Sequence, residues 1–170
     1  MRIQDVINAA KDNVSVSDWG LGKTPKSRMP LSKAGRRAYN LGNAWRWRFI
    51  EFDAFNKRFV VRLIVCESKA IARAHLAMRV DRDSVVLACY EYHSDVETGW
   101  HLHTLCRESN AIETAPIGTL VHGRWIKRLP AANQRHRRNT FYRDMEGGAE
   151  AWLCREAVRF FRVDKRTGML

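Results

Sequence analysis

The sequence predicts an α+β protein: an antiparallel β-sheet of about four to five strands, helices packed on one face, and a basic N-terminal arm. Three stretches lead there. Residues 44–52 alternate, with Trp45, Trp47, Phe49 and Glu51 on one side and Arg46, Arg48, Ile50 and Phe52 on the other. Residues 58–66 repeat that period with Phe59, Val61, Leu63 and Val65 on one face. Residues 85–106, VVLACYEYHSDVETGWHLHTLC, form two β-branched and aromatic runs around a polar loop.

In chain order, Ile3, Val6, Ile7 and Ala10 predict one short helix over residues 1–13. From 14 to 42 the periodicity dissolves. Gly20, Gly22, Pro25, Pro30, Gly35 and Gly42 punctuate a stretch charged by Lys23, Lys26, Arg28, Lys33, Arg36 and Arg37. This reads as a flexible basic arm, so residues 1–43 are set apart from a single α+β domain spanning 44–170. After the two alternating strands, joined by a turn at Phe55–Lys57, the alanine-rich stretch 69–79 predicts a helix. Ser68 would cap it and Ile71, Ala74 and Met78 would face inward. Asp81 and Asp83 end it, and the 85–106 hairpin follows. A short strand is expected at 117–121. A last helix over 149–163 carries Ala149, Trp152, Leu153, Phe160 and Phe161 at helical spacing, an apolar stripe that packs on the sheet.

With 45% hydrophobic residues and six tryptophans the chain can bury a substantial core. It has no apolar run near the ~20 residues needed to span a bilayer, and residues 1–13 carry no signal-peptide pattern. A cytoplasmic protein with no membrane partner is expected. Cys66, Cys89, Cys106 and Cys154 lack CxxC spacing, which fits buried thiols in a reducing compartment. The net charge of +12 points to a polyanionic partner, and inside a cell nucleic acid is the commonest. Residues 123–143 concentrate that charge and contain no acid: Arg124, Lys127, Arg128, Arg135, Arg137, Arg138 and Arg143 are interleaved with Trp125, Phe141 and Tyr142. Guanidinium groups for phosphates beside rings for bases suit single-stranded nucleic acid, single-stranded DNA being favoured.

The hairpin carries the chemistry. Strand alternation puts Glu91 and His93 on one face, and His101 and His103 on one face. Pairing His93 with His101 and Glu91 with His103 would gather four potential metal ligands. Imidazole nitrogens with a carboxylate oxygen suit Mn²⁺, Zn²⁺ or Mg²⁺, and three protein ligands leave positions open for a substrate. An ion so held can polarise a phosphodiester.

The run from Tyr90 to Cys106, with Glu91, Thr98-Gly99 and His101-Leu102-His103, resembles the signature of the HUH endonucleases. These are rolling-circle replication initiators, relaxases and single-strand transposases, built on an antiparallel sheet backed by helices. The resemblance implies a metal-dependent single-strand endonuclease or strand transferase. His101 and His103 would be the paired ligands, Glu91 the third, and His93 a spare ligand or proton-transfer neighbour. It further implies a tyrosine nucleophile after the motif, which here is Tyr142. That family's helix often reads Tyr-x-x-Lys, where this chain has Tyr142, Arg143, Asp144 and Met145. A binding protein on the same scaffold without the reaction, and a phosphodiesterase using metal-activated water, are the alternative readings.

Overall fold

Hairpin chemistry sets the middle of the molecule. In a computed structural model describing residues 1–93, 99–104, 112, 116–120, 125–128 and 147–163, β3 (Arg46–Ala54) and β4 (Lys57–Cys66) are joined by Phe55 and Asn56 alone. Both linking residues have positive φ, the conformation a two-residue primed turn needs to match strand twist. β5 (Ile71–Val80) returns after a 3₁₀ turn at Glu67–Lys69 and a left-handed Ala70. A second two-residue turn, Asp81 and Arg82, leads to β6 (Asp83–His93), and β7 (Gly99–Thr104) and β8 (Trp125–Arg128) complete the meander.

Before it, α1 (Ile3–Asn8) leads into β1 (Asp12–Val16) and the two-residue β2 (Gly20–Leu21), both paired with β3. All pairings are antiparallel, in the order β1-β3-β4-β5-β6-β7-β8, with β2 also on β3. One long helix, α2 (Ala149–Phe161), packs across β4 and β5 and against α1. Among the described residues, no helix is long and apolar enough to cross a membrane.

The expected fold class is therefore corrected. Among the described residues the molecule is a sheet-dominated fold with seven strands on one continuous path and one long helix, not four to five strands layered with helices. The main error is at 69–79, which is strand β5. Ala72, Ala74, Leu76 and Met78 are buried on one face while His75 and Ala77 are buried on the other. A strand covered on both sides loses its apolar–polar alternation. Alanine's helix preference, below about 1 kcal/mol per residue, is then overridden by two full ladders of backbone hydrogen bonds to β4 and β6. The N-terminal helix is also shorter than expected, because residues 12–16 pair with β3.

The two faces of the sheet differ. One carries Phe52, Phe59, Val61, Leu63, Tyr90, Tyr92 and Leu102, all buried, with α2 and α1 against it. Phe52 stacks on Phe59 with centroids 5.4 Å apart, and each such buried ring contributes about 1.5–3 kcal/mol. The other face carries Glu51, Arg62, Arg73, His75, Glu91 and His101. Here the expected basic arm proves to be folded. Residues 23–40 cross this face as a strap that buries Met29, Leu31 and Tyr39. Lys23 bridges Asn40, and the Thr24 amide donates to the Tyr39 carbonyl at 2.7 Å. Arg62 Nη1 donates to the Ala38 carbonyl at 2.7 Å, and Arg28 pairs with Glu51 at 2.6 Å. At the far end Ser32 donates to Asp83 through both its amide and its hydroxyl, beside Gly118. Gly118 has φ +75°, and a Cβ there would run into the Ser32 hydroxyl and the Asp83 carboxylate.

Candidate metal centre

The site rests on β6 and β7. Their register pairs Glu91 with His101, Cys89 with His103 and His93 with Gly99. This is displaced by two residues from the expected pairing of His93 with His101 and Glu91 with His103. An even displacement keeps every side chain on its face, so the four ligand candidates still converge. The opposite, apolar face holds the register. Tyr90 stacks between Trp100 at 4.3 Å and Phe160 at 4.1 Å. Trp152 of α2 makes contacts with Tyr92 and Trp100 at 5.5 and 5.1 Å. Sliding β7 along β6 would break this cluster, so aromatic packing on one face fixes polar geometry on the other.

On the polar face Glu91 is the hub. Its Oε1 lies 2.7 Å from His103 Nε2, 3.3 Å from His101 Nε2 and 3.8 Å from His93 Nε2. Its Oε2 accepts a hydrogen bond from Arg73 Nε, and Cys89 Sγ lies 3.9 Å away. The rings of His93 and His101 meet edge to face at 4.7 Å, and those of His101 and His103 at 4.9 Å. Glu91, His101 and His103 are buried and His93 nearly so. Burial alone would raise the Glu91 carboxyl. The His101 contact and the charges of Arg73, His103 and His101 outweigh it and hold the group well below the usual carboxylate range. Glu91 is therefore an anion at neutral pH. Cys89 is pushed the other way, first by burial and then by the Glu91 charge, and stays a thiol.

Glu91, His93 and His101 meet the demands of a metal ion. Their ligand atoms all lie within 4.8 Å of one another. An ion with bonds of about 2.1 Å needs ligand–ligand edges of about 3–3.4 Å, and the His101–Glu91 separation of 3.3 Å already matches. His93 Nε2 lies 3.8 Å from the same oxygen. His103 Nε2 lies beside the same carboxylate oxygen, 2.7 Å from Glu91 Oε1. Two or three imidazoles with one carboxylate favour Mn²⁺ or Zn²⁺ over the all-oxygen preference of Mg²⁺.

Of the other expected site residues, Trp125, Lys127 and Arg128 lie on β8, where Arg128 pairs with His101 and Lys127 with Leu102 in the backbone ladder. Arg124, Arg135, Arg137, Arg138, Phe141, Tyr142 and Arg143 lie outside the described residues. Several members of the polar face were not foreseen. Arg73 and His75, two residues apart on β5, face Glu91 and Cys89, and Arg62 on β4 faces His75. The Arg–Ala–His spacing is a strand signal that the helix reading of 69–79 concealed.

The described residues thus contain a buried Glu/His/His group that can hold a metal ion, built on a rigid sheet and backed by an arginine. No family model matches this chain, and comparison with curated proteins and with solved structures finds no match.

Proposed function

We propose that this protein is a metal-dependent enzyme acting on single-stranded nucleic acid, a DNA endonuclease or strand transferase of HUH type. The observation that carries the reading is the convergence of Glu91, His93 and His101 ligand atoms within 4.8 Å on one sheet face. Two further features support it. His101 and His103 project to that face from a single strand while the intervening Leu102 is buried among apolar neighbours, as a histidine–hydrophobic–histidine motif requires. The net charge of +12 suits a phosphate-rich substrate.

Glu91, His93 and His101 would hold a divalent ion, which would supply Lewis-acid polarisation of the scissile phosphodiester. The protein's own groups do the rest. Arg73 holds one Glu91 oxygen and leaves the other facing the histidines. His103 orients that second oxygen. Tyr142 acts as nucleophile: it gives up its phenolic proton as its oxygen bonds to phosphorus, one P–O bond to sugar breaks, and the leaving sugar oxygen takes up a proton to become a free hydroxyl.

Incubation with labelled single-stranded oligonucleotide and Mn²⁺, followed by denaturing electrophoresis, tests this. A covalent adduct that is absent in Tyr142→Phe and in His101→Ala is the expected result. Cleavage without an adduct replaces the tyrosine with an activated water. Salt-sensitive binding without cleavage makes the protein a non-catalytic nucleic-acid-binding protein.

A further inference from the structure

The strap offers more than cover for the sheet. From residue 19 to residue 50 the chain contains no aspartate or glutamate, so the strap's charge is of one sign. Its apolar residues Met29, Leu31 and Tyr39 point into the molecule, and Lys23, Lys26, Lys33, Arg36 and Arg37 are exposed. None of these five has a carboxylate partner among the described residues, whereas Arg28 is paired with Glu51. A folded segment that hides its apolar side and presents cations not neutralised by carboxylates is a surface for a polyanion.

The position of the strap is as informative as its charge. Arg62, which anchors it through the Ala38 carbonyl, belongs to the cross-strand row Arg62–His75–Cys89–His103. The next row along the same face is Ile64–Arg73–Glu91–His101. Adjacent same-face rows are two residues apart, about 7 Å. The strap therefore borders the metal centre on the same face of the sheet. Arg62 itself is buried, and among the described residues its Nε has no hydrogen-bond partner and no carboxylate pairs with it; burial lowers its pKa to about 10, so it remains a cation at neutral pH. It adds fixed positive charge beneath the strap. The strap is also pre-ordered by its ties to Arg62, Glu51 and Asp83, so little conformational entropy remains to be lost on binding.

We infer that the strap is a phosphate-backbone binding surface, with Lys23, Lys26, Lys33, Arg36 and Arg37 guiding a single strand of nucleic acid across the sheet toward Glu91 and His101. The inference rests on the nucleic-acid reading of the metal centre and assigns it a binding track. A membrane surface fits less well, because the strap is not an amphipathic helix and its own apolar residues Met29, Leu31 and Tyr39 are buried; the large exposed hydrophobes nearby, Leu21 at 58% and Ile117 at 45% exposure, lie outside it.

The test is fluorescence anisotropy of a labelled oligothymidylate, in EDTA, across a potassium chloride series. Lys33→Gln/Arg36→Gln/Arg37→Gln alters only exposed side chains. Unchanged thermal unfolding and an unchanged response to Mn²⁺ will show that its fold and metal centre are intact. Loss of three phosphate contacts from a single strand lowers the log–log salt slope by about 2 and weakens binding by roughly 10- to 100-fold at 0.1 M salt. The comparison variant is Arg135→Gln/Arg137→Gln/Arg138→Gln. Wild-type binding that is unaltered in the strap variant, whether or not the comparison variant loses it, overturns the strap inference and leaves the nucleic-acid reading standing. No binding by the wild type even at low salt overturns both. Salt-sensitive capture by phosphatidylserine vesicles, abolished in the strap variant and unaccompanied by oligonucleotide binding, reassigns the strap to a membrane surface.

Discussion

The two faces of this sheet handle burial in opposite ways. On the helix-covered face Tyr90, Tyr92, Trp100, Trp152, Phe160 and Phe161 interlock through ring contacts. On the other face Arg62, His75, Glu91, His101 and His103 are buried at or below 9% exposure. Taking such groups out of water costs several kcal/mol per ion, and mutual hydrogen bonding recovers only part of that. A protein seeking stability alone would repeat the first face on the second. The asymmetry teaches that the aromatic face supplies the rigidity and the polar face carries the chemistry, with β6 and β7 belonging to both.

That division predicts separable effects. The largest is on the aromatic face: Trp152→Ala removes the ring bridging Tyr92 and Trp100, and the loss should be about 3–5 kcal/mol in denaturant unfolding. Below its lowered midpoint the variant should still respond to Mn²⁺, unless the β6–β7 register itself is lost.

Glu91→Gln is expected to be smaller and pH-dependent. It keeps the shape but leaves Arg73 without its anion, costing about 1–3 kcal/mol at neutral pH in metal-free protein. The Glu91 carboxyl sits below its ordinary value of 4.5 in the folded protein. Its stabilisation is therefore fully present above that pH and is lost as the pH falls through the region below it. The gap between wild type and Glu91→Gln should accordingly start to narrow below about pH 5 and go on narrowing as the pH falls through 3 and lower. A gap that stays constant over that window would remove Glu91 from the role of hub. The smallest effect concerns the strap. Ser32→Ala removes one hydrogen bond to Asp83, about 1 kcal/mol, and should raise protease sensitivity within residues 23–40 more than it lowers the global midpoint.

Much of the aromatic face was legible in the sequence, and the reason is physical. β3, β4 and β7 alternate, and Trp152, Leu153, Phe160 and Phe161 fall on one helical stripe, so local periodicity reports their environment. β5 was not legible, because a strand buried on both sides has no alternation to read. Nor was the strap, whose order comes from Arg62, Asp83 and Gly118, residues 24 to 85 positions distant from their strap partners. The candidate ligands Glu91, His93, His101 and His103 were legible by parity alone. Their register was not, since it is set by Tyr90, Trp100 and Phe160 on the far side of the sheet. Arg73 stayed hidden for the same reason as the strand that carries it.

The central claim is that the polar face holds an ion through Glu91 and its histidines. Isothermal titration of metal-free protein with Mn²⁺ tests it most directly, in the wild type, Glu91→Gln and His101→Ala, each checked for folding by near-ultraviolet circular dichroism. One binding event per chain in the wild type, weakened at least tenfold in both folded variants, is the predicted result. No heat of binding in the wild type, or equal binding in all three proteins, would contradict it.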